Sequence, residues 1–206
     1  MDISLLTRGF ILGFAIAAPV GPIGLLCIQR TLSQGRAVGL ASGLGAATAD
    51  AFYGAVAAFG LTIISAFLIE QQFWLALLGG LFLCYLGVRT LLSPPAESAA
   101  EREARSIGAA YASTFLLTIT NPMTILAFVA IFAGAGLAAA GGDAIAAAWM
   151  VLGVFLGSAA WWLLLSGGVS LLRSRINSGV LLWVNRAAGA ILALFGVLAV
   201  GRALLV

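Results

Sequence analysis

The sequence contains no histidine and no lysine, and only 8% of its 206 residues are charged. Soluble domains average about 25% charged residues. Without histidine, the protein cannot build imidazole metal sites or histidine proton relays. Cysteine is also scarce: Cys27 and Cys84 form no Cys-x-x-Cys motif, and we interpret both as small buried apolar residues.

Apolar residues take the place of the missing charges. They make up 63% of the chain, and the mean hydropathy is +1.15. A soluble fold of this size has too little interior to bury so much apolar surface, so the composition predicts an all-α polytopic protein of the lipid bilayer. The net charge of +3 comes from arginines in loops, and we expect no nucleic-acid partner.

Six apolar runs are long enough to cross a membrane, which takes about 20 helical residues. The first run is not interpreted as a signal peptide, because Asp2 stands where a basic segment belongs and the run resumes beyond Pro22. The expected helices cover residues 4–28, 38–69, 73–92, 109–133, 144–172 and 181–206. The predicted organisation is a three-helix repeat at 1–92, a charged linker at 93–108 and a second three-helix repeat at 109–206.

Arginines cluster at alternate ends of the expected helices. Arg8 and Arg202 lie on one side of the membrane, and the other eight arginines lie on the opposite side. Under the positive-inside rule, this asymmetry predicts that both termini face away from the cytoplasm and that the linker is cytoplasmic. We therefore expect a multi-pass protein of the cell inner membrane.

Three short patterns recur in the same order in both halves of the chain. They are Gly21-Pro22-Ile23 with Asn121-Pro122-Met123, Gly39 and Gly43 with Gly153 and Gly157, and the segment 80–88 with the segment 189–197. Because three spans per half is an odd number, the second half must enter the membrane from the opposite face. This predicts an inverted 3+3 repeat, as in many secondary transporters. The Gly-x-x-x-Gly pairs predict close packing, either inside the protein or across a homodimer.

Proline motifs interrupt the first and fourth expected helices near the middle of the membrane. Pro19 and Pro22 each lack a backbone N–H and clash with the carbonyl one turn earlier. Backbone groups freed in this way need protein, water or a ligand as partners, and the alternative is a kink that only shapes helix packing. We predict a substrate site at the two breaks, formed by Pro19, Gly21, Pro22, Gly24, Thr120, Asn121, Pro122 and Thr124.

The two breaks offer groups of opposite polarity. Each new helix start presents N–H groups and a positive dipole end, which suit a carboxylate. The carbonyls released before each break suit an ammonium group or a cation. A zwitterion such as an amino acid therefore fits the predicted site.

Asp50 lies about a dozen residues into the second expected helix, whereas every other acidic residue lies at a helix end or in a loop. An ionised carboxylate at this depth costs several kcal/mol unless it is paired, and no arginine lies at a matching depth. Asp50 therefore either holds a proton or pairs with a partner that binds and dissociates. We predict a proton- or cation-coupling site at Asp50, with Thr48 and Tyr53 close enough to hydrogen-bond it.

A known family shares three motifs of this chain: Ala18-Pro19-Val20-Gly21-Pro22, the glycine-rich stretch from Arg30 to Asp50, and Asn121-Pro122. Together they resemble the lysine-exporter (LysE/RhtB-type) family of amino-acid efflux proteins. The resemblance implies a transporter, not an enzyme, that exports an amino acid or close derivative without a cofactor. It places the substrate near the two proline motifs and makes Asp50 the acidic site. Val20 departs from the family pattern, which often has a smaller or polar residue there.

Three hypotheses for the function differ in what Asp50 and the cysteines do. In the first, the protein is a proton antiporter in which Asp50 takes up a proton outside and releases it inside, with sodium as the alternative ion. The second is a membrane thiol-disulfide electron carrier, which needs two cysteines that meet. The third is a divalent-metal exporter, which the lack of histidine and the single buried acid disfavour. We predict no catalytic residue and no resident metal site.

Overall fold

The computed structural model describes residues 3–19, 21–59, 67, 69–92, 99–121, 124–125, 127–128, 144–173 and 178–205. Every regular element within these ranges is a helix. In chain order the helices are α1 (Ile3–Ala17), α2 (Pro22–Gln34), α3 (Arg36–Ala58), α4 (Gln72–Leu91), α5 (Ala99–Ile119), α6 (Ala144–Arg173) and α7 (Ser178–Leu205). The expected all-α class is confirmed.

Three helices in the described ranges, α4, α6 and α7, are long and apolar enough to cross a membrane. The helices α1 and α2 meet the same criterion when they are taken together as one bent pair. The helix α3 is not among them, because it consists largely of glycine, alanine and small polar residues. The chain is an all-helical polytopic membrane protein, with three or four clear spans in the part described here.

The helix boundaries depart from expectation in α2, α3 and α5. The run expected over 4–28 contains two helices that meet at an angle of 80°, and the second of them continues to Gln34. The helix expected over 38–69 ends at Ala58, with Phe59 as its C-cap. The helix expected to begin at residue 109 begins at Ala99, so residues 99–108 of the predicted linker are helical. That segment is rich in alanine, glutamate and arginine, which are strong helix formers. The predictions made for Asp2, Val20, Pro122 and Met123 lie outside the described residues.

Glycines allow several helices to approach until their backbones touch. A Cβ atom at Gly9 of α1 would overlap the Met150 carbonyl oxygen of α6 and lie 3.1 Å from the Cα of Gly153. The helices α4 and α7 approach equally closely through Gly80, Gly87, Gly189 and Gly196. Because lipid offers no hydrophobic drive for helix association, small residues at the contacts are what permits tight packing.

The glycines Gly45 of α3 and Gly157 of α6 occupy matching environments. A Cβ atom added to either one would overlap a carbonyl oxygen of the facing helix and crowd an amide nitrogen four residues further on. The atoms are the oxygen of Phe10 and the nitrogen of Phe14 (2.9 Å) for Gly157, and the oxygen of Tyr111 and the nitrogen of Phe115 (3.1 Å) for Gly45. The rings of the two facing aromatic pairs also stack alike, with centroids 6.4 and 6.5 Å apart. The α1–α6 and α3–α5 contacts are thus built in the same way.

The predicted equivalence of Gly39 and Gly43 with the glycine pair of α6 is wrong. A Cβ atom at Gly39 would meet the Thr31 side chain of α2, and one at Gly43 would meet the Trp162 side chain of α6. Equal spacing within two helices does not determine which neighbour each helix face meets. The glycine of α3 whose environment matches that of Gly157 is Gly45.

The helix α2 lies between four other helices and contacts α3, α5, α6 and α7. Every residue from Leu26 to Ser33 except Ile28 is buried, although half of this segment is polar. Polar residues in a membrane-spanning protein face the protein interior or a water-filled path, not the lipid. The polar residues that follow the first apolar run, on the second half of α2, therefore form the polar centre of the described fold.

Gly35 joins α2 to α3 with φ 111° and ψ 165°, a backbone conformation that is almost exclusive to glycine. We expect Gly35→Ala to cost about 1–3 kcal/mol of stability and to lower the midpoint of thermal unfolding in detergent. The control is Gly201→Ala in α7, where an added Cβ atom would meet no described atom within 4 Å. Equal midpoints for the two variants would contradict the backbone conformation at Gly35.

Candidate functional site

The first apolar run is interrupted between Ala17, the last residue of α1, and Pro22, the first residue of α2. Pro22 is well suited to this position, because the first helical residue needs no N–H partner. Gly21 precedes it in an extended conformation and gives α2 no side-chain cap. An added Cβ atom at Gly21 would meet no described atom within 4 Å. Among the described residues, no side chain caps the N-terminus of α2, and no atom fills the space beside Gly21.

The second predicted break follows the end of α5 at Ile119. Thr120 forms a turn, and its hydroxyl donates back to the Leu116 carbonyl at 2.7 Å, so it serves its own helix end. The carbonyl of Asn121 accepts hydrogen bonds from the backbone nitrogens of Thr124 and Ile125, at 3.0 and 3.3 Å. Thr124 and Ile125 are helical, and Thr124 is half-buried.

Asp50 of α3 is buried, with 4% of its surface exposed. The hydroxyl of Ser158 donates to its Oδ2 at 2.7 Å, and the indole N–H of Trp162 donates to the Ser158 oxygen at 3.1 Å. Both partners lie on α6, one turn apart, and both are neutral. Sequence reasoning missed them, although a serine within an apolar span is a recognisable sign of an internal polar contact.

The first break and Asp50 lie at the same level of the fold. The helix α2 ends and the helix α3 begins at the Gly35 turn, and the two helices contact each other. Pro22 is about 20 Å along α2 from that turn, and Asp50 is about 22 Å along α3, at 1.5 Å per residue. Residues on either side of the break share one buried cluster with α3 and α6; its members include Ala17, Ile23, Ala46, Ala47 and Trp162.

The hydrogen bonds expected from Thr48 and Tyr53 to Asp50 are not formed. The Thr48 hydroxyl donates to the Leu44 carbonyl at 2.9 Å and accepts from the Tyr111 hydroxyl at 2.9 Å. Thr48 is two residues from Asp50, and residues two apart point to different sides of a helix. The Tyr53 hydroxyl instead donates to the carbonyl of Ile119. That bond ties the end of α5, just before the second break, to α3 one turn beyond Asp50.

Arg30 was expected at a helix end, as part of the cytoplasmic charge, but the structure buries it in the interior. It lies in the third turn of α2 with 8% of its surface exposed. Its guanidinium donates to three hydroxyls and one carbonyl, from Ser42 of α3 and from Ala110, Ser113 and Thr114 of α5. From the sequence alone, Arg30 was assigned to a helix end, as the other arginines were assigned to helix ends or loops. The sequence does not show that α2 continues to Gln34 and is covered there by other helices.

A family model described as LysE type translocator matches residues 14–202 of the chain. The chain belongs to the LysE type translocator family. The resemblance inferred from the proline and glycine motifs is thereby confirmed. So is the expectation that the protein is a membrane transporter and not an enzyme.

Two curated relatives of the translocator are similar over most of their length. One is "Putative amino acid efflux protein YcgF" of Bacillus subtilis, 28% identical over 90% of each chain. The other is "Uncharacterized membrane protein YahN" of Escherichia coli, 30% identical over 82% of this chain and 76% of the relative. No solved structure matches the chain significantly.

The thiol and metal hypotheses find little support in the described part of the translocator. Cys27 on α2 and Cys84 on α4 are both free. No described Cα atom of α2 lies within 8 Å of one of α4, whereas a disulfide requires Cα atoms within about 7 Å. Among the described residues, no three cysteine, aspartate or glutamate side chains come together as a metal site.

Proposed function

We propose that this translocator exports an amino acid or a close derivative from the cytoplasm as a secondary transporter, with Asp50 as its coupling residue. The name of the Bacillus subtilis relative, "Putative amino acid efflux protein YcgF", supports the class of substrate. The observation that carries the proposal is a buried carboxylate held by a neutral hydroxyl beside an interrupted helix.

The environment of Asp50 favours an exchangeable partner. Its ionised form is expensive in the interior, and the Ser158 hydroxyl only partly compensates for the lost water. A proton, a sodium ion or the ammonium group of the substrate each neutralises the carboxylate. Because one carboxylate does not hold two of these at once, binding of substrate displaces the proton. This competition is the physical basis of the antiport we propose, with sodium as the alternative coupling ion.

The substrate site we propose surrounds the two interruptions. The open N–H groups at the start of α2, beside Gly21, attract the carboxylate of the substrate, and Asp50 attracts its ammonium group. The Tyr53 bond to Ile119 supports this arrangement, since it brings the second interruption close to the same turn of α3. The proposed substrate-binding residues are Pro19, Gly21, Pro22, Gly24, Thr120, Asn121, Pro122 and Thr124, with Thr48 and Tyr53 supporting Asp50.

Matching contacts in the two halves support the inverted repeat. Exchanging α1 with α5 and α3 with α6 converts the α1–α6 contact into the α3–α5 contact. The glycine environments at Gly45 and Gly157 follow that exchange. When α4 is also exchanged with α7, the α4–α7 contact and the α3–α6 contact each map onto themselves. This is expected for two helices that are related by a two-fold axis. On this proposal, six spans form two three-helix units that rock about the central site.

The orientation of the translocator follows from the arginine distribution. We propose that it lies in the cell inner membrane with both termini outside the cytoplasm. The homodimer remains a prediction, since most described glycines of α1, α3, α4, α6 and α7 contact other helices of the same chain.

An efflux assay in proteoliposomes tests the proposed function. Vesicles holding the full chain are loaded with one radiolabelled amino acid at a time, and the outer buffer is made more acidic than the lumen. We expect at least one of the twenty to leave faster with the pH gradient than without it, and a protonophore to remove the difference. Replacing the outer cation with sodium at equal pH tests the alternative ion. Efflux no faster than from protein-free vesicles for all twenty would contradict the proposal.

A further inference from the structure

The described interior contains two buried charged residues, Asp50 and Arg30. They carry opposite charges, but they do not bind each other. Asp50 is held from α6, whereas Arg30 is held from α3 and α5. Burying an unpaired cation costs about as much as burying an unpaired anion. For Arg30, as for Asp50, we therefore ask which group neutralises the buried charge.

The acceptors around Arg30 form a neutral cradle. Its Nη1 donates to Ser42 Oγ, Thr114 Oγ1 and the Ala110 carbonyl, at 2.9, 3.0 and 3.1 Å, and its Nη2 donates to Ser113 Oγ at 2.9 Å. The hydroxyl hydrogens have other acceptors in their own helices. Ser42 donates to the Val38 carbonyl at 3.0 Å, and Thr114 and Ser113 donate to the Ala110 carbonyl at 2.9 and 3.2 Å. The cradle thus satisfies hydrogen bonds but leaves the positive charge without a counter-charge among these acceptors.

A line of buried polar groups connects this cradle with the central site. Thr114 bonds Arg30, and Thr118 is buried one turn further along α5. The helix ends one residue later at Ile119, whose carbonyl accepts from Tyr53 of α3. Along α3, the cradle residue Ser42 lies eight residues, or about 12 Å, before Asp50.

We propose that Arg30 is a carboxylate-binding subsite for the exported amino acid, on the path between the Gly35 turn and the central site. This inference rests on the proposed function. When α2 and α5 separate, the carboxylate of an incoming amino acid replaces the α5 hydroxyls and binds the guanidinium fork in two-point geometry. The same hydroxyls then turn and donate to the carboxylate, because a hydroxyl both donates and accepts. The subsite selects for a carboxylate before the ammonium group reaches Asp50.

A competition assay separates this role from simple fastening of α2 to α5. The probes are the labelled amino acid that wild-type proteoliposomes export, and as competitors the same unlabelled amino acid and its primary amide, which lacks the negative charge. We expect the amino acid to compete at least tenfold better than the amide in wild type. Arg30→Gln should reduce that ratio at least fivefold. Arg36→Gln, which removes an exposed arginine at the start of α3, should leave the ratio unchanged.

Each outcome decides the inference. One outcome is an Arg30→Gln variant that keeps the wild-type ratio of competition by the amino acid and by its amide, even with slower efflux. That result would show that Arg30 only holds helices together, and it would overturn this inference but not the proposed function. If Arg30→Gln does not fold, Arg30→Lys decides: a KM for the amino acid raised at least threefold, with inhibition by the amide unchanged, supports the subsite. Equal weakening of amino-acid binding and of amide inhibition, or no change in either, overturns it. Failure of wild type to export any of the twenty amino acids overturns the proposed function and this inference with it.

Discussion

Asp50→Asn is expected to abolish gradient-driven efflux while the protein still inserts and folds at wild-type levels. Asparagine has the same shape, and its amide oxygen still accepts the hydrogen bond from Ser158. It cannot bind and release a proton, and it loses the charge that attracts an ammonium group or a cation. A hydrogen bond to a charged group contributes about 1.5–3 kcal/mol, so efflux should fall at least about tenfold. The measurement is initial efflux of the exported amino acid from proteoliposomes with an acidic outer buffer.

Glu70→Gln is the matched control for this variant. It removes an acidic side chain that is exposed near the start of α4, and it should leave efflux unchanged. Asp50→Glu keeps the charge but lengthens the side chain, and we expect it to retain part of the activity. Undiminished, pH-dependent efflux by Asp50→Asn would remove Asp50 from the mechanism.

Gly157→Leu is expected to prevent the folded protein from accumulating in the membrane, and Gly45→Leu should have the same effect. Even the first side-chain carbon at either glycine overlaps a backbone carbonyl of the facing helix, which cannot rotate away as a side chain can. Overpacking in a tight contact commonly costs about 1–3 kcal/mol, and a backbone clash lies at or above the top of that range. The readout is the yield of monodisperse protein after detergent extraction, together with its unfolding midpoint.

Gly168→Leu is the control for this pair, because Gly168 lies on the same helix as Gly157 and an added Cβ atom there meets no described atom within 4 Å. Its yield and midpoint should match those of wild type. The two buried glycines should also respond alike, since they occupy matching environments. A stable Gly45→Leu beside an unfolded Gly157→Leu would argue against the equivalence of the α1–α6 and α3–α5 contacts.

The sequence predicted those features of the fold that depend on composition along one helix. Apolar runs predicted the helices α4, α6 and α7, within a few residues at each end. The helices α1 and α2 meet at an angle of 80° at the proline motif, and the break at mid-membrane depth stays a prediction. A single acid far from any loop predicted that Asp50 is buried. Each of these inferences uses only the cost of placing a residue type in hydrocarbon.

The sequence failed where the answer depends on which helix faces which. Ser158 and Trp162 hold Asp50, but nothing in the spacing of α6 indicates that it packs beside that turn of α3. Gly45 escaped notice because Gly39 and Gly43 have the more familiar spacing. Arg30 was misplaced for a related reason. A buried arginine is tolerated only because other helices supply acceptors, and three of its four acceptors come from 80 or more residues further along the chain.

Simultaneous recording of proton and amino-acid flux tests the role of Asp50 most directly. Proteoliposomes are loaded with the exported amino acid and a pH-sensitive dye in sodium-free buffer, and an outward amino-acid gradient is applied. If Asp50 exchanges the substrate for a proton, wild type should acidify the lumen in fixed proportion to the amino acid that leaves. Asp50→Asn should leave the luminal pH unchanged. Acidification by Asp50→Asn in the wild-type proportion would contradict exchange at this carboxylate.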